Sequence, residues 1–132
     1  MNWYAAHLIE YFKYRKGKQK LFTVWENIVL VRAKNFREAH TKAKRIGKEN
    51  EAHDDKSLTV DGHSAKLVFA GVRKIVECVD PESWPREGTE VSYTEMQVRS
   101  EDAIRKLVVG EFVSVTIADF DPDELKKQKN ER

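Results

Sequence analysis

Two runs rich in aromatic and β-branched residues, 3–14 and 21–33, flank the polar segment Arg15-Lys16-Gly17-Lys18-Gln19-Lys20. Apolar runs of this length around a glycine-containing turn fold most economically as a β-hairpin. Setting Tyr14 opposite Phe22 brings Phe12 to Val24, Leu8 to Ile28 and Ala6 to Leu30 on one face. The other face then pairs Tyr11 with Trp25, His7 with Val29 and Ala5 with Val31. Both faces are apolar, whereas a sheet with one wet face alternates more strictly. One layer of helices covers one face. A second copy of the chain is the expected cover for the other, with the loop 79–89 and its Trp84 as the alternative source.

The segment after the hairpin carries helix signals. Asn35 followed by Glu38 is a capping pattern, and Phe36, Ala39, Ala43 and Ile46 fall on one helical face, with Gly47 suited to the stop. A polar loop is expected over 49–56. Ser57–Val60, the Asp61-Gly62 turn and the run 65–79 read as a second hairpin, in which Gly71 marks a bulge or a close backbone approach. Residues 90–99 alternate as a strand. Ser100 caps a short helix that turns Ile104, Leu107 and Val108 inward and ends at Gly110, and 112–118 form a last strand. The order ββα-ββ-βαβ defines an α+β fold with a mostly antiparallel sheet and two helices.

A length of 132 residues suits a single domain, expected over 1–118, followed by a polar tail over 119–132 that frays. The lone Cys78 excludes an internal disulfide and any multi-thiolate zinc site. No apolar run approaches the ~20 residues that span a bilayer, and the first residues lack the layout of a signal peptide. These features point to the cytoplasm and away from a membrane. The net charge of +2 hides a division: residues 1–48 hold 12 Lys/Arg against 3 Asp/Glu, and residues 49–132 hold 12 against 19.

The hairpin register above makes Glu10 and Glu26 direct neighbours among apolar side chains. Carboxylates about 4 Å apart repel by a few kcal/mol at an effective dielectric near 20. Such a pair shares a proton as an acid/base couple, binds a cation, or meets a basic residue such as Arg73, Lys74 or Arg99. A register slip of one residue separates the two acids instead. His7 falls on the opposite face without an acid and reads as a structural histidine. His53, Asp54, Asp55 and His63 have no spacing that selects a metal, and the acids after Cys78 (Asp80, Glu82) blunt its thiol. Phosphate-binding glycine loops and a nucleophile elbow are absent from the sequence. No cofactor and no metal are expected. The basic candidates for binding are Arg15, Lys16, Lys18 and Lys20 at the hairpin tip, with Arg37, Lys44 and Arg45 on the first helix.

Several segments occur together in an order that carries a further implication. The opening Trp3-Tyr4-Ala5-Ala6 strand, the Trp25-Glu26-Asn27-Ile28-Val29-Leu30 strand and the helix Glu38-Ala39…Lys42-Ala43…Ile46-Gly47 come first. Val68-Phe69-Ala70-Gly71-Val72 and Gly88-Thr89-Glu90-Val91 follow them. This pattern resembles a small bacterial domain-of-unknown-function family over roughly residues 3–95. The resemblance implies a bacterial cytosolic protein, a regulator or a defence or immunity accessory among its settings. It brings no catalytic residues. The expected function is therefore a binding or accessory module that acts through protein contacts, self-associates, and offers its basic half to an acidic protein. A nucleic-acid-binding module using the hairpin tip is the alternative, and an enzyme using Glu10 and Glu26 is the third class.

Overall fold

The computed structural model describes residues 1–78 and 85–119 of the chain. Its elements follow the expected order, ββα-ββ-βαβ, and the fold is α+β. Contacts resolve into two compact units, 1–92 and 93–132.

In the first unit, β1 (Asn2–Tyr14), β2 (Val24–Ala33), β3 (Thr59–Val60) and β4 (His63–Glu77) form one antiparallel sheet in the order β2-β1-β4-β3. The long β1 is central, and β2 lies at the sheet edge. Helix α1 (Phe36–Ala52) packs on one face. Its core joins Tyr4, Ala6 and Leu8 of β1 to Val31 and Ala33 of β2, Val72 and Ile75 of β4, and Ala39 and Ala43 of the helix. Small residues on the helix let it approach the sheet closely, and Tyr4 closes the end against Phe36 in an edge-on contact of 5.9 Å. Asp61 and Gly62, at φ 51° and 79°, turn β3 into β4 with the two left-handed residues that such a hairpin demands.

The expected end of α1 at Gly47 is not observed. The helix runs through Ala52, so residues 49–52 are helical rather than loop. Gly47 is a packing residue: it is buried, and a Cβ placed there would overlap the ring of Phe69. Asn35 caps the start as expected, its Oδ1 accepting the amide of Glu38 at 2.9 Å.

The hairpin register also differs from the expectation by one residue. Tyr11 pairs with Val24, Glu10 with Trp25, Ile9 with Glu26 and His7 with Ile28. The reason lies in the turn. Gln19 folds back, its Oε1 accepting the Tyr14 amide at 2.9 Å and its Nε2 donating to the carbonyls of Phe12 at 2.9 Å and Leu21 at 3.2 Å. One side chain thus closes a connection wider than the polar segment alone, and strand pairing begins at Val24.

In the second unit, β5 (Met96–Gln97) and β6 (Thr116–Ile117) pair around α2 (Glu101–Val109) in sequence. The helix has the expected caps: Ser100 accepts from Ala103 at 3.1 Å, and Gly110 is left-handed at φ 80°. The strands are shorter than expected, and Ile104, Leu107 and Val108 are exposed rather than inward. Trp84 and the tail from residue 120 lie outside the described residues.

Candidate functional site

The one-residue shift sends the two suspected acids to opposite faces. Glu10 lies on the helix face, buried, with its Oε1 accepting from Asn50 of α1 at 3.2 Å. Glu26 lies on the other face. The carboxylate couple expected from the sequence therefore does not form, because register parity alone decides which face a side chain takes.

The same shift gives His7 the acid that its face was expected to lack. His7 and Ile9 point to the side shared by Glu26, and His7 Nδ1 stands 2.9 Å from Glu26 Oε2. The acid is held from its far side by Arg73, whose Nε lies 2.5 Å from Oε1 and whose Nη2 lies 3.0 Å from Oε2. This two-point guanidinium grip fixes the carboxylate plane as well as its charge. At the opposite ring nitrogen, His7 Nε2 is in hydrogen-bond contact with Ser92 Oγ. The site is thus a line of four side chains, Ser92, His7, Glu26 and Arg73.

Backbone irregularity positions the basic end of this line. β4 pairs with β1 through two register shifts, between His7 and Leu8 and between Ile9 and Glu10. Lys74 sits opposite His7 and Val72 opposite Leu8, so Arg73 is the extra residue of a bulge and is re-aimed toward Glu26. Gly71 sits beside the second shift, where a bulge was expected. The bulge places two cations, Arg73 and Lys74, near the imidazole.

Electrostatics follow from this layout. Burial is the largest influence on His7 and depresses its pKa. The Glu26 hydrogen bond works in the opposite direction, and Lys74 and Arg73 add to the depression. The ring is therefore neutral near pH 7. Burial pushes the Glu26 carboxyl upward, but its bonds to Arg73 and His7 outweigh that and hold it below its ordinary value. An ionised carboxylate only accepts hydrogen bonds, so Nδ1 of His7 carries the proton and Nε2 presents a lone pair. The Ser92 hydroxyl is then the donor to Nε2. His7 is fully buried and Ser92 half-buried.

The other candidates are dispersed. Arg15 is tied to Asp54, just past the end of α1, at 2.5 Å, while Lys16, Lys18 and Lys20 are exposed at the tip. Arg37 lies in the first turn of α1, and the 17-residue helix is about 26 Å long, so Arg37 and the Asp54-bound tip belong to opposite ends of it. Arg45 is within 3.9 Å of Glu49 on the helix surface, and Lys44 is half-buried. His63 stacks on Tyr14, and Asp55 accepts from Ser57. Among the described residues, no group of three or more His, Cys, Asp or Glu is arranged to hold a metal ion. Cys78 is buried, its thiol pushed up by burial and by Glu77, and it donates to the Val91 carbonyl at 3.8 Å.

The second sheet face is thus partly covered from within the chain: Ser92 lies on His7 there, and Ala5 and His7 are fully buried. β2 remains open. Val24, Ile28 and Leu30 on this face are 54%, 49% and 38% exposed, and Trp25 on the other is 53% exposed.

A four-stranded antiparallel sheet with one helix across it, ending in the segment that carries Ser92, forms the first unit of this α+β chain. A family model described as a domain of unknown function, DUF4288, matches residues 3–92, and the chain belongs to that family. The match ends at Ser92, so the whole four-residue line falls inside it. No curated protein and no solved structure matches the chain. No helix among the described residues is long and apolar enough to cross a membrane.

Proposed function

We propose that the chain is a bacterial, cytoplasmic binding module that works through protein contacts and pairs with a second copy of itself along β2. The observation that carries this reading is the open, apolar β2 edge. A ten-residue outer strand presents a row of backbone donors and acceptors beside exposed Val24, Ile28 and Leu30. Such an edge is a template for another strand.

Shape favours the chain's own copy as occupant. Antiparallel pairing about a two-fold axis at Val29 sets Ile28 opposite the partner's Leu30. That apolar contact then occurs twice. The free Cys78 thiol suits a reducing compartment.

Light scattering after size exclusion tests the reading. The expected result is a mass of twice 15.4 kDa for the full chain. Ile28→Lys, which changes an already exposed position, is expected to give the single-chain mass with an unchanged helical circular dichroism signal. A wild-type protein of single-chain mass at its highest soluble concentration, or a dimer indifferent to Ile28→Lys, overturns it.

A further inference from the structure

The line of side chains ending at Ser92 carries an inference independent of self-association. Three relationships stand together. Glu26 is locked in place by two donors from Arg73. It in turn accepts from His7 Nδ1 at 2.9 Å, which fixes the ring's orientation and tautomer. The remaining ring nitrogen contacts a serine hydroxyl that is half-buried and lies 85 residues away in sequence. A carboxylate, an imidazole and a hydroxyl in this order form the arrangement by which a weak hydroxyl becomes a nucleophile, and it is recognised by geometry rather than by chain order.

We propose that Ser92 is a nucleophilic hydroxyl, with His7 as its general base and Glu26 as the residue that orients that base, and that it accepts acyl groups from small activated esters. In the first step Ser92 Oγ attacks the ester carbonyl carbon while its proton passes to His7 Nε2. The bond from that carbon to the leaving oxygen then breaks, the proton moves from Nε2 to the departing oxygen, and the acyl group remains on Ser92. Water repeats the sequence, losing a proton to Nε2 and releasing the acid and the free hydroxyl. Arg73 and Lys74, beside His7 at the β4 bulge, are the cations that act on the ring. Arg73 acts through Glu26 and is a positioning residue.

Two probes test this on the full chain: p-nitrophenyl acetate for turnover and a fluorophosphonate for a stable adduct, located by peptide mass mapping. The fluorophosphonate loses fluoride as Ser92 Oγ bonds to phosphorus, so the adduct marks the nucleophile itself. Labelling is expected on Ser92, absent in Ser92→Ala and reduced at least tenfold in Glu26→Gln and His7→Gln. If His7→Gln fails to fold, the wild-type pH profile replaces it. The labelling rate should fall with acid as His7 protonates, at a pH below the ordinary histidine value, because burial, Lys74 and Arg73 outweigh Glu26 at the ring. No adduct, an adduct on another residue, or labelling of Ser92 that is indifferent to both Glu26→Gln and pH overturns the proposal. None of these outcomes bears on the mass measurement that tests β2 pairing.

Discussion

His7 Nδ1 and Glu26 Oε2 meet at 2.9 Å across a diagonal of the β1–β2 ladder, a contact available in this register and lost in the neighbouring one. Because the two residues are two rungs apart, the contact ties strand register to the protonation state of a fully buried ring. The remaining bonds of the site extend from that contact, to Ser92 on one side and to Arg73 on the other.

Acid should therefore weaken the fold through this pair. The pKa of His7 is lower in the folded chain than its ordinary value of 6.5, so the unfolded chain binds the proton first as pH falls. Its contribution is complete above about pH 6.5 and is lost as pH falls through the depressed folded value. Glu26, also depressed, adds a loss of the same sign at lower pH. Urea unfolding from pH 8 to 4 should show a steeper decline below pH 6.5 in wild type than in His7→Gln. Parallel curves would mean that His7 titrates alike in both states.

The Arg73–Glu26 grip should be worth more than an ordinary surface pair. The Arg73 and Glu26 side chains are 14% and 29% exposed, and the contact is made at two points. Arg73→Met leaves a half-buried carboxylate short of two donors, and a loss of about 1–3 kcal/mol is expected. A double-mutant cycle with Glu26→Gln should return a coupling of at least about 0.5 kcal/mol. Additive losses would show the two to be independent.

The element order was legible in the sequence because each boundary has local chemistry: Asn35 and Ser100 cap, Asp61-Gly62 turns, and Gly110 ends a helix. The register was not legible. With apolar residues on both faces of β1 and β2, a shift of one residue leaves the pattern equally apolar, and the deciding contacts came from Gln19 in the turn. That hidden parity concealed the site as well, since it moved Glu26 from Glu10 to His7. Arg73 needed a bulge to reach Glu26, and Ser92 arrives from 85 residues away, a distance at which no spacing rule operates. Gly47 carried a signal that pointed elsewhere: glycine marks a helix stop as readily as a close contact, and the Phe69 ring that decides between them belongs to another element.

That contact makes Gly47→Ala informative. In an exposed helix the change is worth about 1 kcal/mol in favour of alanine. Here the new methyl meets the Phe69 side chain at overlap distance, and repacking a filled contact costs about 1–3 kcal/mol. The net effect is expected to be a lower melting temperature. Gly47→Ala combined with Phe69→Leu should be more stable than the sum of the two single changes predicts, because the smaller side chain frees the space. A Gly47→Ala protein that melts higher than wild type would show the helix free to retreat from the sheet.

The basic tip is open to a separate test, which divides protein binding from nucleic-acid binding. Arg15 is engaged by Asp54, which leaves Lys16, Lys18 and Lys20 as the exposed lysines of the segment. Three phosphate contacts give a dependence of log K on log salt no steeper than about −3 on duplex DNA. Filter binding or fluorescence anisotropy with mixed-sequence DNA is expected to show weak association at low salt with a slope within that limit. Lys16→Glu with Lys18→Glu should remove it and leave the mass in solution unchanged, since β2 lies beyond the turn. A steeper slope requires phosphate contacts from α1 as well, from Arg37, Lys44 or Arg45. A sequence-dependent affinity that survives the double change would place recognition away from the tip and make nucleic acid the principal partner.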